Sequence, residues 1–388
     1  MRLALGYLAP AIFFTASLAV FCASERIPSA QAAGAPAETV VKIGTAGPLT
    51  GNQAKLGTDA RNGVMFAVDE LNAQGITIGG KKVKFVVQGE DDQADPKLAT
   101  AVAQRLVDDK QVMAIVGHNN SSATIPAGKI YDEAGILFIT PNASNPTVSQ
   151  QGFKNFYRIM CTDPIQAAKA ATFTVEKLKA KTVVVVDDKT QYGQGLTDMY
   201  SKQVEKAGVK VLAREHISDK DSEFGALITA IKAKRPDVFY FGGVYSQAAL
   251  LKKEAIKQGM KIPFIGGDSV FEPDYMKLGG DITEGDYATA LGMDTEKLPK
   301  YAGFAAKFKA KYGDIGYVVP YAYDATMVVA EAIKKANAVD RKKIAAAKKA
   351  IPSYEGITGK VVWDQYGDNS NPVVSLYQVK NGKWVFVE

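Results

Sequence analysis

Two polar loops hold the residues of this chain best suited to chemistry. Gly117-His118-Asn119-Asn120-Ser121-Ser122-Ala123-Thr124 and Thr140-Pro141-Asn142-Ala143-Ser144 each follow an apolar run, Val112 to Val116 and Ile136 to Ile139, of the kind that forms a buried parallel strand. The stretch between them, Ser122 to Ala134, has the length and polarity of a helix. In open α/β sheets a ligand sits beyond the carboxyl ends of the strands, where helix N-termini offer free N–H groups. Ser121 and Ser144 are therefore candidates to hold an anionic group such as a carboxylate, and the irregular carbonyls of the second loop could receive an ammonium. Helix capping is the competing role for Ser121 and Ser122. The second loop favours binding, because no helix there needs a cap.

Asp268 closes the run Phe264-Ile265-Gly266-Gly267 and puts an acid at the mouth of another sheet. It could neutralise an amine across a cleft, or simply cap the turn that follows. Tyr192 lies in Asp187-Asp188-Lys189-Thr190-Gln191-Tyr192-Gly193 after the apolar run Val183 to Val186. An aromatic there can cover a ligand and hydrogen-bond its polar end. Phe241-Gly242-Gly243-Val244-Tyr245-Ser246 is a further loop at a strand end. Catalytic parts are missing by comparison. His118 and His216 have no HxxH, HExxH or CxxC companion, and no GxSxG elbow or GxxxxGK[ST] phosphate loop occurs. Gly44-Thr45-Ala46-Gly47-Pro48-Leu49 matches a dinucleotide fingerprint only superficially. The sequence thus predicts no enzyme, no metal and no cofactor, with His118 a hydrogen-bonded residue at a strand end.

These loops require elements to position them. β-Branched runs at Val40 to Thr45, Val83 to Val87, Val112 to Val116, Ile136 to Ile139, Val183 to Val186, Val209 to Leu212, Val238 to Phe241 and Phe264 to Ile265 read as strands. Helices are predicted between them at Asp59 to Ala73, Pro96 to Lys110, Pro164 to Leu178, Gly195 to Ala207, Phe224 to Lys234 and Gln247 to Gln258. This alternation implies an α/β chain with parallel sheets covered on both faces. It falls into two blocks, 38–158 and 162–285, each with four strands. Helices then follow at Lys300 to Lys311, Tyr321 to Asn337 and Arg341 to Ala350, with strands at Gly359 to Trp363, Val373 to Val379 and Lys383 to Val387. Asn381-Gly382 supplies a hairpin turn. A chain that builds two lobes and then adds to both must cross between them more than once, which makes a hinge.

The 388 residues open with Arg2, an apolar body from Leu3 to Cys22, and Ala30-Gln31-Ala32, the pattern of a secretory signal peptide cleaved near Ala33. Arg2, Arg26 and Glu25 leave with it, taking the 47 basic and 41 acidic residues to 45 and 40. The lysines are scattered on helix faces without interleaved aromatics, which argues against nucleic acid as a partner. Cys161 is the one cysteine after processing, so packing and not a disulfide must stabilise the fold. The ~355 remaining residues suit two domains.

Several segments in order along the mature chain are similar to the leucine/isoleucine/valine-binding proteins, the periplasmic receptors of branched-chain amino acid ABC transporters. They are Gly44-Thr45-Ala46-Gly47-Pro48-Leu49-Thr50-Gly51, Asn72-Ala73-Gln74-Gly75-Ile76, Asp91-Asp92-Gln93-Ala94-Asp95-Pro96, Gly117-His118 with Ser121-Ser122, Ile139-Thr140-Pro141 and Gln191-Tyr192-Gly193. The resemblance implies a type I periplasmic binding protein, two doubly wound parallel-sheet lobes joined by three hinge crossovers. It divides the chain into a signal peptide (1–32), lobe 1 (33–158 plus 290–363) and lobe 2 (159–289 plus 364–388). It makes Ser121 and Ser144 donors to a ligand α-carboxylate, Asn142 a main-chain contact with Ala143 beside it, and Tyr192 the aromatic from the second lobe. Asp268 stands where the family often has Glu, as acceptor for the α-ammonium. Val244 and Leu56 stand at positions beside the cleft that are frequently aromatic, and Ala94 and Asn120 where relatives carry a disulfide.

The function expected on these grounds is capture of a small amino acid, branched-chain by resemblance, in the periplasm. A monomer would close on it and deliver it to a membrane ABC permease. The alternatives are a receptor for an amide, urea or aromatic acid, serving a sensor, and a secreted hydrolase using Ser121 or Ser144 as nucleophile.

Overall fold

Residues 38–388, apart from 219 and 372, are described by a computed structural model of the chain. The leader expected over 1–32 and its cleavage site lie outside them. The first sheet is built from β1 (Thr39–Gly47), β2 (Thr77–Ile78), β3 (Lys81–Asp91), β4 (Val112–Gly117), β5 (Leu137–Thr140) and β6 (Phe156–Arg158). Its order is β2-β3-β1-β4-β5-β6, parallel except for the β2 edge. Helices α1 (Ala54–Ala73), α2 (Pro96–Asp108) and α3 (Ser121–Glu133) connect its strands. Every residue of β4 and β5 is buried, as expected for parallel strands covered on both faces.

A second unit of the same kind follows. α4 (Asp163–Glu176), β7 (Thr182–Asp187), α5 (Gln191–Lys206), β8 (Lys210–His216), α6 (Gly225–Ala233), β9 (Val238–Gly242), α7 (Tyr245–Lys257), β10 (Phe264–Gly266), α8 (Pro273–Gly279) and β11 (Tyr287–Ala290) run in sequence. The chain then forms α9 (Tyr301–Tyr312), α10 (Val319–Ala336), α11 (Arg341–Lys349), the two-stranded pair β12 (Ser353–Gly356) and β13 (Gly359–Val362), and the hairpin β14 (Ser375–Lys380) and β15 (Lys383–Phe386). The second sheet has the order β15-β14-β11-β10-β9-β7-β8, parallel through β11, with β14 and β15 antiparallel. Asn381 and Gly382 both take positive φ, the conformation a two-residue hairpin needs. Val183 to Val186 are wholly buried, each contributing about 1.5–3 kcal/mol of apolar burial.

Among the described residues the chain passes between the two sheets three times: from β6 to α4, from β11 to α9, and from β13 to β14. α9 and α10 return to the first unit, where Phe304 and Phe308 pack on Phe66 of α1 and α10 lies along α1. In both units the strand order reverses beside the first strand, at β1/β4 and at β7/β9. The connections on either side of such a switch point diverge to opposite faces and leave a crevice at the strand ends. Gly47 and Gly117 end the first pair, Asp187 and Gly242 the second.

Four strands per block undercounts the first, which has six. β2 is two residues long before Gly79 and Gly80, both of positive φ. β6 carries an arginine that reads as a surface residue, yet Arg158 is completely buried. Its guanidinium forms an ion pair with Asp368 at 2.6 Å and donates to the carbonyls of Ala143 at 2.7 Å and Asn145 at 3.2 Å.

Candidate functional site

The loop after β4 turns on Gly117, whose φ of +147° and approach to Ala46 leave no room for a side chain. His118 beyond it is fully buried, its ring nitrogens paired with Asp92 Oδ2 at 2.5 Å and Tyr131 Oη at 2.9 Å. That makes it a brace for the strand end. The next loop is tied to the first. Thr140 Oγ1 donates to the His118 carbonyl at 2.7 Å and accepts from Ala143 N–H at 2.9 Å, while Asn145 N–H donates to Ser121 Oγ at 3.2 Å. Arg158, holding the Ala143 and Asn145 carbonyls from behind, fixes Ser144 between them.

The caps differ from expectation. Asn120, with no side-chain bond to the helix, occupies the N-cap of α3. Ser122 Oγ instead accepts from Gln191 N–H at 3.0 Å, and Asn145 Nδ2 donates to the Gln191 carbonyl at 2.8 Å. Both bonds join the first unit to the second. α5 starts at Gln191 and not Gly195, because Thr190 Oγ1 accepts from Gly193 N–H at 3.0 Å. Tyr192 is thereby placed on a first turn that points at the crevice. Gly267 lets it through: a Cβ there would collide with the phenol.

Gln53, Ala94, Asn119, Asn120, Ser121, Ser122, Asn142, Asp188, Thr190, Tyr192, Val244 and Ser269 line a narrow cavity between the two sheets, partly open to solvent. Of the residues predicted for the site, Ser121, Asn142, Tyr192 and Val244 are on its wall. Ser144 and Asp268 lie just behind the wall and are linked to it. Asp268 is completely buried; Tyr192 Oη donates to its Oδ1 at 2.8 Å and Gln166 Nε2 at 2.9 Å, and its Oδ2 has no partner. Gln166 Nε2 also donates to Asp163 Oδ1 at 2.8 Å, and Gln166 Oε1 accepts from Thr289 at 2.8 Å and from Asp268 N–H at 3.2 Å. Ser144 lies close enough to Asp163 to lower its pKa, without a hydrogen bond of good geometry. One hydrogen-bonded chain therefore runs Asp163, Gln166, Asp268, Tyr192, and Asp163 N–H donates to the Ser144 carbonyl at 3.1 Å. Leu56 and Ala143 do not reach the cavity. Leu56 packs with Val244 and Tyr245, and Ala143 packs under α3 with its carbonyl on Arg158.

Burial pushes Asp268 up to about 6 against the pull of Gln166 and Tyr192. Asp163 is pushed up to about 7 by burial and by the charge of Asp268, despite Ser144, Gln166 and Arg158. Two such carboxyls call for a cation. The N-terminus of α3 with the Ser121 hydroxyl, and the Ser144 hydroxyl, suit an anion. The sequence reading missed Asp163, Gln166, Asn145 and Arg158. Asp163 and Gln166 were detectable as polar residues three apart on the first turn of a helix, so on one face. Arg158 and Asn145 gave no sequence signal, because their partners, Asp368 and Gln191, are distant in the chain.

Neither Ser121 nor Ser144 is hydrogen-bonded to a histidine, the partner a serine nucleophile uses. The fold is that of a two-lobed protein with a crevice between two parallel sheets, the architecture of a binding protein. The comparisons agree. A family model described as periplasmic binding protein matches residues 40–383, and the chain belongs to that family. It is 37% identical over 88% of its length, and 90% of the relative's, to the leucine-, isoleucine-, valine-, threonine-, and alanine-binding protein of Pseudomonas aeruginosa. Its fold matches the leucine binding protein LivK of Thermotoga maritima with a TM-score of 0.82, at 30% identity over 90% of this chain and 98% of that one. It matches LivJ of Streptococcus pneumoniae, solved with isoleucine, at the same TM-score with 26% identity, over 89% and 97%. The chain is a type I periplasmic binding protein of the leucine/isoleucine/valine-binding group, and the group is non-enzymatic.

Proposed function

We propose that this protein is the substrate-binding component of an ABC transporter. After removal of residues 1–32 it works in the periplasm, captures a small α-amino acid between lobe 1 (33–158 plus 290–363) and lobe 2 (159–289 plus 364–388), and delivers it to a membrane permease. The observation that carries this reading is the hydrogen-bonded chain from Asp163 through Gln166 to Asp268, with Ser144 held next to Asp163 by the bond from Asp163 N–H to the Ser144 carbonyl at 3.1 Å. It brings a hydroxyl suited to a carboxylate and a carboxyl suited to an ammonium together behind one cleft wall. A zwitterion matches both ends, and pairing each charge offsets its desolvation. Closure follows because the ligand touches both lobes only when they meet, and that differential contact shifts the population. The Ser122–Gln191 and Asn145–Gln191 bonds are part of the same apposition.

The relatives' names make Leu, Ile, Val, Thr and Ala the first amino acids to try. Thermal unfolding of the ligand-stripped protein should shift upward with at least one α-amino acid. Stabilisation by amides, urea or benzoate alone would refute the reading in favour of a receptor for non-amino acids.

A further inference from the structure

Beyond the zwitterion subsite, the hydrophobic members of the cavity wall are Ala94, Val244 and the Tyr192 ring. Four carboxamides share the wall with them. Gln53, Asn119, Asn120 and Asn142 converge on the space, with Ser122, Thr190 and Ser269 around them. The orientation of two amides is set by their own bonds. Asn119 Nδ2 donates to the Leu56 carbonyl at 3.1 Å, and Asn120 Nδ2 donates to Gln53 Oε1 at 2.7 Å. In each the carbonyl end is left over. Asn119 Oδ1, Asn120 Oδ1 and Asn142 Oδ1 are buried from solvent with no partner, and the Asn119 and Asn142 residues are only 2% and 6% exposed. Leu56, the one large aliphatic residue nearby, is turned into the core beside Val244.

Three buried, unpartnered acceptors on residues of one cavity wall are satisfied only by hydrogen-bond donors. An aliphatic group placed among them would exclude water and leave the oxygens unpaired, which is the costly arrangement for a buried polar atom. A site built to pair with ligand N–H or O–H groups rejects the analogue lacking them far more strongly than an apolar pocket rejects a hydroxyl. We propose that the outer half of this cleft selects an amino acid whose side chain carries neutral hydrogen-bond donors, a carboxamide or a hydroxyl, over one with a branched aliphatic side chain. The inference rests on the amino-acid reading of the cleft and names the substrate class within it.

Isosteric pairs isolate the effect, because asparagine and leucine, and threonine and valine, differ little in shape. The experiment is calorimetric titration of the full mature chain, freed of bound ligand, with these four amino acids and with lysine as a cationic probe. Asparagine should bind at least about tenfold tighter than leucine, and threonine than valine. Replacing Asn142, whose Oδ1 has no partner to lose, by Asn142→Val should narrow both ratios by about tenfold, with circular dichroism checking the fold. Leucine or valine binding as tightly as its polar isostere, or lysine binding tightest, overturns the proposal while leaving the amino-acid reading intact. Failure of every α-amino acid, with a non-amino acid bound instead, sinks that reading and this proposal together.

Discussion

Replacing Asp268 by Asn separates a binding carboxylate from a structural one. The side chain is completely buried, and Tyr192 and Gln166 both donate to Oδ1, leaving Oδ2 open. Its pKa is pushed from 3.8 up to about 6 by burial, so keeping it ionised at neutral pH costs the empty cleft about 3 kcal/mol. A bound ammonium would offset that cost. In Asp268→Asn an arriving ammonium meets a neutral amide, and truncating one partner of a buried charge pair costs about 2–5 kcal/mol. Asp163 remains as a second carboxyl, which places the expected loss in the lower half of that range, about a hundredfold in Kd by calorimetry. The ligand-free variant should at the same time be more stable than the parent, by up to about 3 kcal/mol in denaturant titration, because an uncompensated buried charge has gone. The two readouts move in opposite directions. A Kd unchanged by Asp268→Asn would falsify the ammonium assignment, and parallel losses of affinity and stability would make Asp268 a structural turn residue.

Ser144→Ala should weaken ligand binding by about 1–3 kcal/mol through loss of one charge-assisted donor; a Kd equal to the parent's removes Ser144 from the carboxylate subsite. Binding should also depend on pH. Asp163 and Asp268 have folded values of about 7 and about 6, above the ordinary 3.8, so in the empty protein their contribution to stability is fully present below 3.8 and is lost as pH rises through 6 and 7. Ligand binding has the opposite sign, since an ammonium favours the ionised carboxyls. Kd should therefore rise as pH falls from 8 to 5, approaching tenfold per pH unit where one proton must leave, and a flat profile across that window contradicts the role given to the pair.

The parallel strands were legible because full burial on both faces forces continuous β-branched runs, such as Val183 to Val186, which no surface segment needs. That Ser121, Asn142 and Tyr192 stand on the cavity wall was legible because they directly follow strands that end at a sheet crevice. Short elements were not. β6 is three residues long and ends in Arg158, whose charge is tolerated only because Asp368 comes to it across more than two hundred residues. Leu56 points away from the cleft since its backbone carbonyl, not its side chain, faces Asn119.

What the sequence determined by itself was the architecture and the neighbourhood of the site, because local pattern dictates which segments become strands and which loops lie at their ends. Only the tertiary structure decided that Gln166 joins Asp163 to Asp268, and that three asparagine side-chain oxygens on the cleft wall are left unpartnered. Both depend on loops from different strands meeting in space, and on which end of each amide is already paired, neither of which is encoded by spacing along the chain.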